Sequence, residues 1–296
     1  MDPMRRATFR DVVAGRPRKV PPGRTGDPGR FPPGSVARRI NAETRLLLGG
    51  PRALLLQLAE PRVAAGVADH SDFRADPFGR LWNTLDLTLA VGFGDAARAH
   101  EAIGRVARTH AEVTGARGKV PYRATDPDLL TWVHATLVDS ALVTYERFVG
   151  RVGPGARDVY VREMGPQGEA FGVPRSRLWP DHETFAAYVA DAIGRLEVGD
   201  EARSLADAVL HPPVTVTVRP ASGFLAFVTA GLLPASLREG YGLPWSDARG
   251  RALDVLAAGV RGAGAELPDA LRRWPQAREA DARMAAGAFA VAEPGR

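Results

Sequence analysis

The residue in this chain with the clearest capacity for chemistry is His134, in the run Asp126-Pro127-Asp128-Leu129-Leu130-Thr131-Trp132-Val133-His134-Ala135-Thr136-Leu137-Val138-Asp139-Ser140. An imidazole carries protons near neutral pH and, when neutral, donates a nitrogen lone pair to metals. Asp126 reads as a helix N-cap, Pro127 as the first helical residue, and Asp128 favours the positive end of the dipole. Steps of four from His134 reach Leu130 and Val138, and a step of seven reaches Ala141. The ring therefore emerges from an apolar helix face. A buried imidazole needs a hydrogen-bond partner or a metal, because dry ring nitrogens are costly. It is either a core histidine bonded to a backbone carbonyl or a ligand, and the pattern leaves both open.

The other polar candidates point less sharply. His100 and His110 lie ten apart on one predicted helix capped by Asp95, about 80° from each other at 3.6 residues per turn. They are poorly placed to share one metal, and His100 is expected at the surface. Asp139 lies about 140° round the helix from His134 and is expected to brace another element. His211-Pro212-Pro213 reads as a loop with a structural histidine. The chain has no H-E-x-x-H, no Walker A loop and no G-x-S-x-G elbow. Gly92-x-Gly94 lacks a third glycine and a preceding strand, so a dinucleotide site is not indicated. Ser71 beside His70 is a sequence neighbour, which does not make a nucleophile and base.

The elements that must position His134 are helical. Helices are predicted over 35–48, 52–58, 78–91, 95–113, 126–148, 156–164, 182–193, 205–210, 224–233, 245–258 and after 269, with loops at 115–125 and 150–155. The stretch 214–218 alternates like a strand but is isolated. The fold class is all-α, a single mainly helical domain over 34–296.

Composition excludes several classes. There is no cysteine among 296 residues, which rules out disulfides, thiolate ligation, Fe–S clusters and C-x-x-C-H haem attachment. The net charge is +5, yet residues 1–39 carry ten Arg or Lys against three Asp, leaving the rest at −2. The basic character belongs to an Arg/Pro/Gly-rich tail, residues 1–33, expected to be disordered. Without aromatic-interleaved basic stripes, nucleic acid is not an expected partner. No run approaches the ~20 apolar residues of a spanning helix. The tail also lacks the apolar core of a signal peptide, so a cytoplasmic location is expected.

The stretch from Gly49 to Phe148 resembles the oxygenase family that includes MpaB and the latex-clearing rubber oxygenases. The marks are Pro61-Arg62-Val63-Ala64-Ala65-Gly66-Val67, His70-Ser71, Asp76-Pro77, and Arg80-Leu81 with Thr84. A second block is His110-Ala111-Glu112-Val113-Thr114-Gly115, Tyr122-Arg123-Ala124-Thr125-Asp126-Pro127 and Trp132-Val133-His134-Ala135-Thr136-Leu137. Leu233-Pro234, Leu237-Arg238 and Tyr241-Gly242-Leu243-Pro244-Trp245 extend it. The resemblance implies a helical fold holding non-covalent haem b through an axial histidine, with dioxygen activated for oxidative cleavage of a carbon–carbon double bond in the rubber-cleaving members. His134 matches the axial position, with Leu130, Val138 and Ala141 covering the porphyrin. Arg105 and His110 match the helix on the haem's other side, with Arg108 a weaker candidate. The implied function is a haem-b-dependent oxygenase acting on a hydrophobic small molecule. The alternative is a helical haem- or ligand-binding protein without turnover. The tail departs from the export signals of secreted rubber oxygenases, which points to a small intracellular substrate.

Overall fold

The computed structural model describes residues 20–71, 77–212 and 219–292. Helices α1 (Val36–Asn41), α2 (Gly50–Leu58), α3 (Pro61–His70), α4 (Pro77–Phe93) and α5 (Ala96–Glu112) come first. A hairpin, β1 (Thr114–Arg117) and β2 (Val120–Arg123), leads into α6 (Pro127–Phe148). Then come α7 (Pro154–Ala170), α8 (His182–Arg195), α9 (Asp200–Leu210), α10 (Arg219–Leu232), α11 (Ala235–Gly240), α12 (Asp247–Glu266), α13 (Asp269–Arg272) and α14 (Pro275–Ala292). The fold is mainly helical, and the hairpin is the only sheet among the described residues. The strand-like stretch 214–218 lies outside them.

Capping side chains set several of these starts as the sequence predicts. Asp95, Asp126 and Asp181 accept from the backbone N–H of Arg98, Asp128 and Thr184, satisfying donors that have no partner within the helix. The helix predicted over 35–48 is broken instead. Glu43 is drawn out into an extended bridge with Arg273, and the chain resumes as a 3-10 turn over Thr44–Gly49. Conversely, α7 runs past its predicted end at 164 and carries Pro166 inside it. The predicted loop at 115–125 is the hairpin, closed by Gly118 at φ 59°.

Helix α6 is the axis of the molecule, with α1, α2, α7, α8 and α12 packed around it. It is buried on nearly every side, and several of its polar residues find partners inside the protein. Thr131 and Thr136 donate to carbonyls of their own helix, at Pro127 and Val133. Gln57 donates to the Thr136 hydroxyl, and the Trp132 indole N–H to the Leu56 carbonyl. Gly49 abuts Thr144 so closely that an added Cβ would lie 1.9 Å from its hydroxyl oxygen. A second, smaller core joins Phe148 to Val228 and Leu232 of α10 and Leu253 and Ala257 of α12.

Of the residues assigned to the tail, 20–33 lie as a strap against the helical body, and residues 1–19 lie outside the described chain. Gly23 N–H donates to Glu279, Arg24 N–H to Asp95 and Gly26 N–H to the Arg283 carbonyl. Phe31 is buried edge-on against Phe93, and its N–H donates to the Gly92 carbonyl. Arg283, 4% exposed, donates to the carbonyls of Asp27 and Phe93 and pairs with Glu279. Composition missed this because the strap supplies backbone donors and one phenylalanine, while α14 and the α4–α5 junction supply the partners. Arg283→Ala should release it, since each lost charge-assisted bond is worth about 1.5–3 kcal/mol. Tryptic cutting after Arg24 and Arg30 is then expected to accelerate about tenfold or more, because 1.4 kcal/mol of opening is about a decade. A digestion time course matching wild type would show that Arg283 does not hold the strap.

Candidate functional site

His134 lies on the eighth residue of α6, 4% exposed. Among the described residues no hydrogen bond reaches either ring nitrogen, so the carbonyl-bonded core histidine weighed from sequence has no counterpart there. Burial pushes the imidazole down to about 4, because the low-dielectric surroundings disfavour the charged form. At neutral pH the ring is therefore an uncharged donor with a free lone pair on one nitrogen.

The ring is held by elements the sequence did not connect to it. Gly168, in the last turn of α7, lies against it: an added Cβ would be 2.8 Å from Nε2, 2.9 Å from Cδ2 and 3.2 Å from Cε1. Such similar distances to three consecutive ring atoms place that point over the ring face. An atom in line with the Nε2 lone pair would be markedly farther from the two carbons than from the nitrogen. Trp179 lies nearly parallel to the imidazole, 12° between planes and 6.2 Å between centroids. It is packed in turn on Phe185 at 4.9 Å and Tyr188 at 5.0 Å. The turn that carries the chain from Gly168 to Trp179 is fixed by Gly172 at φ 94°, with the N–H groups of Phe171 and Val173 both donating to the Gly168 carbonyl.

The other residues named from sequence are more scattered. Leu130 is half-buried, and an added Cβ on Gly172 would lie 3.2 Å from its Cδ1. Val138 is in the main core with Ala141 packed at its margin. Arg105 is exposed on α5 and donates to Asn83 at 3.3 Å. His110 is half-buried near the end of α5, and burial lowers its pKa. Among the described residues no hydrogen bond or ring contact joins either to His134; α5 packs on α4. Arg108 and His100 are exposed. Asp139 braces a neighbour as expected, accepting from Arg52 at 2.7 Å. His211 pairs with Asp207 at the end of α9.

The donor set limits what His134 could ligate. Among the described residues no group of three or more His, Asp or Glu is placed to hold a metal ion. One imidazole is too few for a bare ion, which takes most of its ligands from the protein. It suffices for a metal that arrives in a macrocycle supplying the remaining nitrogens, as haem does. A neutral imidazole in an apolar setting has the donor chemistry that such a group takes. Two surface grooves, of about 470 Å³ beside Trp245 and Arg147 and about 320 Å³ beside Asp27 and His100, lie elsewhere.

The buried ring also makes the stability of the cofactor-free protein depend on pH. Its folded pKa of about 4 is below the ordinary 6.5, so between these values the unfolded chain holds a proton that the folded chain does not. Stability is therefore full above pH 6.5 and lost as pH falls towards 4, by about 1.4 kcal/mol per unit and about 3 kcal/mol in all. Urea midpoints across this window should fall with acid in wild type, and less in His134→Leu. Equal slopes would mean that the imidazole is not desolvated.

No curated protein and no solved structure matches this chain. Residues 37–262, from α1 into α12, match the family described as ER-bound oxygenase mpaB/B'/rubber oxygenase, catalytic domain. No described helix is long and apolar enough to cross a membrane. The matched stretch contains His134, Gly168 and Trp179 together with the helices that hold them, and the chain belongs to this oxygenase family.

Proposed function

We propose that this chain is a haem-b-dependent oxygenase that acts on a hydrophobic small molecule with dioxygen, and that His134 is the axial iron ligand. The observation that carries the reading is a buried, neutral imidazole with no hydrogen-bond partner among the described residues, in a chain of an oxygenase family. When bound, haem supplies an iron centre for the binding and activation of dioxygen. His134 would hold the cofactor through a ring nitrogen. Leu130, Val138 and Ala141 supply apolar cover that keeps water from the ligand. Arg105 and His110 are proposed to face the reacting side and donate hydrogen bonds where charge develops on oxygen.

The test is an optical spectrum of protein supplied with haem, followed by oxygen-dependent turnover of hydrophobic alkenes and phenols. Arg105→Ala and His110→Ala are expected to lower turnover about 100-fold, the scale for loss of one such donor, while keeping the Soret band. Variants equal to wild type in both assays would move that role elsewhere. The second reading, a haem- or ligand-binding protein without turnover, is favoured by one observation: Arg105 is exposed and bonded to Asn83. Haem retention with no turnover on any substrate supports that alternative.

A further inference from the structure

Gly168 and His134 meet across the α6–α7 packing at a distance that leaves no room for a side chain. A short connection joins the two helices, and the eighth residue of α6 meets the last turn of α7. The same helix offers its own comparison. A Cβ on Gly165 would have its nearest neighbour, Leu178 Cδ1, at 3.5 Å, which is ordinary contact, whereas a Cβ on Gly168 would meet three imidazole atoms at 2.8–3.2 Å. One glycine is therefore replaceable and the other is not. The Gly168 backbone is itself immobilised, because its carbonyl accepts from both Phe171 and Val173. The turn it anchors delivers Trp179 parallel to the imidazole. One short segment thus places both a backbone wall and an aromatic plane against one ring.

We propose that Gly168 is a positioning residue: its bare Cα forms the wall that sets the plane of the His134 imidazole, and so the direction of its Nε2 lone pair, with Trp179 parallel to it. The assignment of that lone pair to haem iron rests on the proposed function; the setting of the ring does not. A histidine ligand has to be oriented by something behind it, and most are held by a hydrogen bond from the second nitrogen. Here no such bond is found among the described residues. Packing against Gly168 does the work instead, and it acts on the ring face rather than in line with the donor nitrogen.

The experiment compares Gly168→Ala with Gly165→Ala in the full chain. Both exchange a glycine for an alanine in α7, so both share any general gain in helix propensity, and only the first obstructs the ring. In the cofactor-free protein, the His134 ring-proton resonances, assigned by their absence in His134→Ala, should move in Gly168→Ala and stay in place in Gly165→Ala. On addition of haem, Gly168→Ala should retain it about 10- to 100-fold more weakly, the range for loss of a group that orients a ligand, while Gly165→Ala matches wild type. Unmoved ring resonances in a folded Gly168→Ala protein would overturn the proposal. So would equal shifts in both variants. If Gly168→Ala does not fold, Trp179→Leu tests the same arrangement from the aromatic side, and an unchanged His134 environment there overturns it. Moved resonances in Gly168→Ala, together with a wild type that takes up no haem, would remove the haem reading and leave the ring-setting role standing.

Discussion

His134→Ala is expected to abolish the Soret band of haem-supplied protein while the far-ultraviolet circular dichroism remains helical. Removing a group that merely orients a ligand costs about 10–100-fold in affinity, and removing the ligand itself costs more. The helix should survive, because alanine is the best helix former and because α6 is fixed by Trp132, Val138, Leu142 and Phe148, which this change leaves alone. A wild type without a Soret band after haem addition would reject the cofactor. An alanine variant with an unchanged spectrum would reject only His134 as its ligand.

The second large effect is on folding. Arg52 is 3% exposed and ties three helices together: Nε donates to the Leu232 carbonyl at the end of α10, while Nη1 and Nη2 donate to Ser140 and Asp139 of α6. Arg52→Ala leaves a carboxylate, a hydroxyl and a helix-terminal carbonyl without their donor, and should cost about 3–5 kcal/mol. That is a large share of the ~5–15 kcal/mol that holds an ordinary domain. Urea denaturation should show a lower midpoint at unchanged slope. The double replacement Arg52→Met with Asp139→Leu should recover part of the loss, because it removes both buried charges together. A single variant as stable as wild type would show that the triple contact contributes nothing.

What could be read in advance was what is written locally. Asp126, Pro127 and Asp128 announce α6 because a cap, a fixed φ and a favourable charge act within one turn. The hairpin was overlooked for its glycine, proline and charge, although Arg117-Gly118-Lys119-Val120 carries the Gly-X signal of a two-residue turn. The strap over 20–33 and the Arg52 clamp were not legible, because each depends on acceptors far away in the chain. Gly168 is the sharpest instance. Nothing in Met164-Gly165-Pro166-Gln167-Gly168 separates its two glycines, and Pro166 argues for ending the helix before the second is reached. Only the packing of α7 on α6 shows which of them faces a ring. His134 was thus visible as a candidate, and what holds it in place was not.

The strap has a consequence for the order in which the molecule is made. Asp27 and Arg283 are separated by 256 residues, so the strap leaves the ribosome long before the arginine that fastens it has been synthesised. At the usual pace of synthesis, ~5–20 residues per second, the wait is about 10–50 s. During it α6 and α7 can already be complete, while the strap has only the α4–α5 junction to rest on. The clasp that Glu279 and Arg283 complete is therefore a late step in biogenesis, and a chain cut short before α14 would hold the strap only through its contacts with Gly92, Phe93 and Asp95.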